Sequence, residues 1–428
     1  GQREAVRRAF AMSGADPQSV EATLDRYAAD WIAMHVDACD AAFVQKEQSP
    51  ELFDLRVACL GERLAELRAA TSLFASGDAR VAANAQNAAR ALTPVASCGD
   101  ARALLAIKPP PPQSASLVAE LRLDLARAKA MRDGGRLGDA IRLARTVVQQ
   151  AEPSGYAPLV ASALLQLGDA ELANGEAEEA ESTLGRAALA ADASRDDVTR
   201  VRALTRQLYA MGFALERFDR VPALDAQVES IVARLGGDDE LEGDRLQTMG
   251  MIALAQHDLG VAGERLTRAI ALREKRFGPQ GRRVAMSRYG RCVVRFEAKE
   301  LDASLADCNA ALAIWRTSLG ASHPDTSLAL KYIGAIELAQ GRVDDGCRDI
   351  EQALAIEEST LGRDHPTIAG TLLHLADCRA ARGDRAGAIE ATRRAVVIRE
   401  AKLGATHRKT DEARAALRVR ETMDAAAP

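Results

Sequence analysis

The chain has 428 residues, 47% hydrophobic but only 4% aromatic, and 87 of them, about a fifth, are alanine. Alanine is the best helix former, and the Val-, Ile-, Tyr- and Phe-rich strands of a sandwich or barrel cannot be drawn from this composition. With 56 Lys and Arg against 61 Asp and Glu, the net charge is −5, which excludes the basic excess of a nucleic-acid binder. Seven cysteines fall far below the density of a disulfide scaffold, and their odd number leaves at least one thiol unpaired or intermolecular. No run approaches 18 uncharged apolar residues, so the chain itself inserts no helix into a membrane. It begins with Gly1 rather than Met, which reads as part of something longer. Length alone predicts two or three domains, unless the chain is a repeat array.

Residues 1–108 show helical periodicity. Val20, Leu24, Tyr27 and Trp31 recur at spacings of three and four. Leu52, Leu55, Leu60, Leu64 and Leu67 do so with small drift. Ser49 and Pro50 fit a helix N-cap and first-turn position. Four or five helices are expected in a helical N-terminal domain over 1–108. Pro109 to Pro112 cannot sit in a helix, so 109–116 reads as a stiff linker or as an edge packed against the first repeat.

A fixed register then takes over. Phe277-Gly278, Leu319-Gly320, Leu361-Gly362 and Leu403-Gly404 are evenly spaced, and Leu235-Gly236 fits upstream. The last three extend to His323, His365 and His407. Pro324 and Pro366 follow the first two; Arg408 replaces the proline in the third. Glycine just past a helix end and proline in the next first turn mark a helix-helix junction. Ser322 and Asp364 are placed to cap that turn. One histidine per repeat does not make a metal or catalytic site, so these are read as structural.

Within each unit a second turn recurs at Gly135, Gly175, His257, Lys299, Gly341 and Gly383. Five residues later stands a small residue: Ala140, Ala180, Ala262, Ser304, Gly346 or Ala388. Seven further on come Val147, Ala187, Ala269, Ala311, Ala353 and Ala395. Each unit is therefore helix A, a turn and helix B, with small residues where the helices approach. The stretch 198–235 is poor: its turn is Glu216-Arg217-Phe218-Asp219, and Pro222 lies near the start of helix B.

This pattern resembles the tetratricopeptide repeat, with the helix A small position at Gly168, Gly250, Cys292, Gly334 and Ala376. The 42-residue interval is similar to the longer variant of kinesin light chains and many bacterial regulators. The resemblance covers roughly residues 115–420. It implies an all-α fold: a right-handed α-solenoid of seven repeats over 117–403, then a capping helix and tail over 404–428. It also implies an inner groove lined by A helices, and helical register assigns Gln247, Met251, Tyr289, Val293, Lys331, Leu338, Leu373 and Asp377 to that groove. Tyr289 and Lys331, in adjacent units, are expected to hold an extended peptide by stacking and charge.

The N-terminal segment resembles the region between kinase domain and repeats in large bacterial serine/threonine kinases, especially those of myxobacteria. Trp31, His35 and Cys39, then Glu47-Gln48-Ser49, then Asp54-Leu55-Arg56 with Cys59-Leu60 carry this likeness, continued by Leu92 and Cys98. The resemblance implies a kinase domain in the parent protein; no G-x-G-x-x-G before a helix, H-R-D or D-F-G occurs here.

Cys39 and Cys59 fall on consecutive helices and form a candidate disulfide; two buried thiols are the alternative. His35/Cys39 and His374/Cys378 are i, i+4 pairs without the further ligands zinc needs, so no metal and no cofactor is expected. No nucleophile elbow, P-loop, HExxH or EF-hand pattern is present, and the chain is read as non-enzymatic. The expectation is a protein-protein interaction and sensor region that binds a protein or peptide partner and regulates a kinase domain in cis. The alternative is a scaffold that self-associates as a homodimer. Its location is cytoplasmic by default, or periplasmic if an upstream membrane helix tethers it.

Overall fold

The computed structural model describes residues 2–13, 17–106 and 108–425, and the described residues form helices and no strand. The chain divides into two compact units: residues 1–174 with 179–204, and residues 175–178 with 205–428. The sequence expectation placed the first boundary at the proline run, whereas the division falls much later.

The first unit opens with α1 (Gln2–Ser13), α2 (Gln18–Cys39), α3 (Pro50–Phe74), α4 (Ala79–Arg90) and α5 (Ala101–Ala106). Ser49 caps α3, accepting from the Leu52 N–H at 3.2 Å, and Pro50 fills the first turn. Phe10, Leu60, Phe74 and Val81 form the core of these helices. Two helical hairpins come next: α6 (Ala115–Asp133) with α7 (Leu137–Ala151), and α8 (Ala157–Ala173) with α9 (Ala177–Ala193).

The proline run does not free the first hairpin from the N-terminal helices. Glu66 of α3 is buried, and Lys129 of α6 lies 3.7 Å from its carboxylate. Lys129 also donates to the Ala91 carbonyl at 2.5 Å. A Cβ on Gly134 would stand 2.8 Å from Leu73 of α3. The Tyr156 hydroxyl donates to the Lys108 carbonyl at 2.8 Å. The helices on either side of the run thus pack in one unit, while Pro109, Pro111 and Pro112 themselves are exposed.

The second unit begins within α10 (Asp197–Leu208), which runs into a π-helical turn over Tyr209–Ala214. Helix α11 (Val221–Arg234) holds Pro222 in its first turn, where a missing N–H costs nothing. Four regular hairpins complete the array: α12 (Asp239–Ala255) with α13 (Leu259–Phe277), α14 (Arg282–Glu297) with α15 (Leu301–Leu319), α16 (Pro324–Ala339) with α17 (Val343–Leu361), and α18 (Pro366–Ala381) with α19 (Arg385–Leu403). Helix α20 (Arg408–Ala425) stands in the place of the next helix A. Residues 426–428 of the expected tail lie outside the described residues.

The junctions show how the motif works. Gly320, Gly362 and Gly404 take φ of +97°, +90° and +90°, which a side chain would oppose. The cap then comes from the histidine, not from Ser322 or Asp364. Nδ1 of His323 accepts from the Asp325 N–H at 2.8 Å, and His365 and His407 accept from Thr367 and Lys409 at 3.3 and 3.2 Å. An accepting Nδ1 carries no proton, so the motif uses a neutral imidazole as its cap.

Helix A meets helix B at one slot per unit. A Cβ on Gly250 would lie 2.8 Å from Leu266; one on Gly334 would lie 2.8 Å from Ile350 and 2.5 Å from the Gly346 carbonyl oxygen. We predict that Gly334→Ala lowers the unfolding free energy by about 1–3 kcal/mol through overpacking. Gly61→Ala, in α3 with open space around it, should instead raise it by about 0.5–1 kcal/mol. Urea denaturation of both variants checks the contrast.

Candidate partner-binding face

The A helices α12, α14, α16 and α18 present one residue in register to the same side: Gln247, Tyr289, Lys331 and Leu373. Gln247, Met251, Tyr289, Leu338 and Leu373 are half-buried, as lining residues of a face are. Asp377 is exposed and paired with Arg420 of α20. Two assignments need correction. Val293 and Lys331 are only 5% and 6% exposed, so neither offers much surface to a partner.

Lys331 is drawn inward by a buried charge. Glu357 of α17 has no exposure; it accepts from Thr371 Oγ1 at 2.6 Å and from Ser327 Oγ at 3.3 Å, and the Lys331 ammonium lies 3.9 Å away. Burial pushes the Glu357 carboxyl up, while Lys331 and the two hydroxyls pull it down. The lysine therefore compensates a helix B carboxylate instead of awaiting a ligand.

The same helix B position holds Arg273, Trp315, Glu357 and Arg399 in successive units. Arg273, also buried, donates to Ser287 Oγ at 2.8 Å, to the Arg283 carbonyl at 3.0 Å and to Asp244 at 2.7 Å. Arg399 reaches the Lys409 carbonyl. Each large side chain plugs the junction with the next helix A, and each polar one brings its own partners.

Beside this row lies an aromatic run that the sequence reading did not assemble. Tyr289 packs against Trp315 at 5.7 Å and Tyr332 at 5.8 Å between ring centroids. Tyr332 meets Phe296 at 5.8 Å and His374 at 5.6 Å, both edge to face, the favoured geometry for such rings. The signal was present: Tyr332 and His374 stand one residue after Lys331 and Leu373 in the register, and Phe296 is seven residues after Tyr289. Burial, then the nearby Lys331 and Arg399, lowers the His374 pKa to about 4.

The cysteines pair differently from the sequence expectation. Cys59 bonds to Cys98, with Cα atoms 5.6 Å apart, and Cys39 is free. The α2–α3 register explains it. Trp31 Nε1 donates to the Leu60 carbonyl at 2.7 Å, and Gln48 donates to the Ala38 carbonyl at 2.7 Å. Cys59 is thus level with the region of Trp31, about 10 Å along the helix from Cys39 at 1.5 Å per residue. Two further bonds join Cys292 to Cys308 and Cys347 to Cys378. The first occupies the A–B slot that Gly250 and Leu266 fill one unit earlier. The second joins helix B to the next helix A, where Gly263 faces Val294 in an earlier unit.

Among the described residues, no group of three His, Cys, Asp or Glu is placed to hold a metal ion. Cys378 is bonded to Cys347 and His374 lies among aromatic rings, so these two do not form a ligand pair. No described helix is long and apolar enough to cross a membrane.

Two outcomes are expected. Alkylation of the folded chain should modify Cys39 alone, and alkylation after denaturation and reduction all seven cysteines, as read by intact mass. His374 sets an acid-side slope. Its folded pKa lies below the ordinary 6.5, so protons bind the unfolded chain first and stability is lost as pH falls from about 6.5 to about 4. The loss is on the order of 3 kcal/mol. His374→Gln should flatten that part of the stability-pH curve measured by denaturant unfolding.

A tetratricopeptide-repeat family model matches residues 327–401. No curated protein matches the chain. Among solved structures, BtubC (BKLC) from P. vanneervenii is similar at 18% identity, over 53% of this chain and 92% of its own, with a TM-score of 0.43. A putative kinesin light chain of Podosopora anserina with nearly identical TPR-like repeats is similar at 19% identity, over 47% of this chain and 96% of its own, with a TM-score of 0.37. The apo form of RapI matches at 12% identity over 90% of this chain and 99% of its own, with a TM-score of 0.49. The repeat assignment rests on the register and the family match: the chain contains tetratricopeptide repeats in an all-α solenoid.

Proposed function

We propose that the face built by α12, α14, α16 and α18 binds an extended segment of a protein partner, and that the chain acts without catalysis. The aromatic run of Tyr289, Phe296, Tyr332 and His374 carries this reading. The chain is 4% aromatic, so grouping these rings across three successive A helices sets one face apart. Aromatic side chains supply large contact area at low entropic cost, and a few such anchors dominate binding.

Residues 31–98 extend the proposal. On their resemblance to the segment after bacterial serine/threonine kinase domains, the bound partner regulates a kinase joined upstream in a parent chain. A second reading, the self-associating scaffold, draws on the exposed apolar stripe of Ile32, Val36, Phe43 and Val44 along α2 and the turn after it. Sedimentation across a concentration range separates the two readings, since a strict monomer rejects the scaffold.

Peptide arrays probed with the full chain, then calorimetry, test the first reading. Phe296→Ala and Leu338→Glu should each weaken the best peptide by about tenfold or more while leaving the helical signal intact. If no peptide binds and a small molecule saturates the face, the reading fails.

A further inference from the structure

Two departures from the repeat, one in its irregular unit and one at its last junction, meet in space. At the start of the A–B turn, where Gly135, Gly175, Gly341 and Gly383 stand in four units and His257 and Lys299 in two, the irregular unit has Glu216 at φ +55°. Where the other junctions place Pro324 or Pro366 in the first turn of helix A, the last has Arg408. Arg408 donates to both carboxylate oxygens of Glu216 at 2.7 Å, and Lys409 lies 3.3 Å from the same carboxylate. Lys409 also lies over the Phe213 ring at 4.9 Å and donates to the Phe213 carbonyl at 3.4 Å. His257, the non-glycine turn residue of the next unit, is 3.3 Å from Arg408.

One unit earlier the same two positions also meet. Gly175 faces Pro366, and a Cβ added there would stand 2.4 Å from the proline ring. Gly175 and Pro366 are 191 residues apart, and Glu216 and Arg408 are 192 apart. The two contacts thus recur at nearly the same offset. The first contact is steric, between glycine and proline. The second replaces both residues and becomes a bidentate ion pair. Each replacement disfavours its own local backbone: glycine is the residue suited to positive φ, and proline to the first helical turn.

We propose that Glu216 with Arg408 and Lys409 is a latch that holds the last junction of the solenoid against the irregular turn, and that parting it frees both segments and expands the chain. The latch stands on this geometry and not on the identity of any ligand. It can therefore fail, or hold, independently of the partner-binding reading. Glu216 is nearly buried while Arg408 is partly exposed, so salt reaches one side of the pair and should weaken it.

The test uses changes toward the repeat's own pattern. Arg408→Pro and Glu216→Gly each suit the local backbone, so circular dichroism should show unchanged helix content. The readouts are hydrogen exchange of residues 209–217 and 405–412 in the full chain, and its radius of gyration in solution. Each single variant should exchange at least tenfold faster in both segments and give a larger radius. The charge swap Glu216→Arg with Arg408→Glu should return both readouts toward the parent. Exchange and radius unchanged in both single variants overturn the latch. A swap no better than the singles overturns the ion pair as its basis.

Discussion

The close approach of helix A to helix B at one recurring slot governs the rest of the structure. Two helices meet this closely only if one side is small, and Gly250, Gly334 and the Ala262-type positions supply that smallness in each unit. Once the slot recurs at a constant interval, each hairpin presents the same faces to its neighbours, and a stacked array results. The low aromatic content has its cause here: alanine fills what bulkier cores fill with rings. The pair Cys292–Cys308 belongs to the same logic, since a covalent bond takes the place of a glycine against a leucine.

A second position, on helix B, varies while its task does not. Arg273, Trp315, Glu357 and Arg399 all plug the junction with the following helix A. An indole fills the space by packing. A guanidinium or a carboxylate in the same space must have its charge met, because an unpaired buried charge is far more costly than a paired one. That demand recruits Asp244 and Ser287 around Arg273, and Ser327, Thr371 and Lys331 around Glu357. The residues available on the inner face are therefore partly decided by what stands behind it. Lys331 is committed to Glu357, while Tyr289 remains half-buried beside Trp315 and Tyr332.

Most of the repeat architecture was legible because its signals are local and periodic. Leu-Gly at helix ends, proline in the next first turn and small residues at fixed offsets each answer a backbone or packing need within one or two helices. The histidine of the motif was visible as structural, but its work as the cap, ahead of Ser322 or Asp364, depends on where the imidazole points. The face was legible in part. Register relates Gln247, Tyr289, Lys331 and Leu373 by position, but it is blind to how deeply each side chain sinks, as Val293 and Lys331 show.

Composition and periodicity alone make this chain all-α, pair its helices in units of nearly constant length, and mark where one helix yields to the next. Those properties arise from contacts a few residues apart. Which cysteines bond, that α6 packs on α3 across the proline run, and that Glu216 and Arg408 face each other are settled only by packing in three dimensions. Each of these depends on the relative rotation and register of helices far apart in the chain. No local pattern encodes that quantity, because it is the sum of many side-chain volumes acting across each junction.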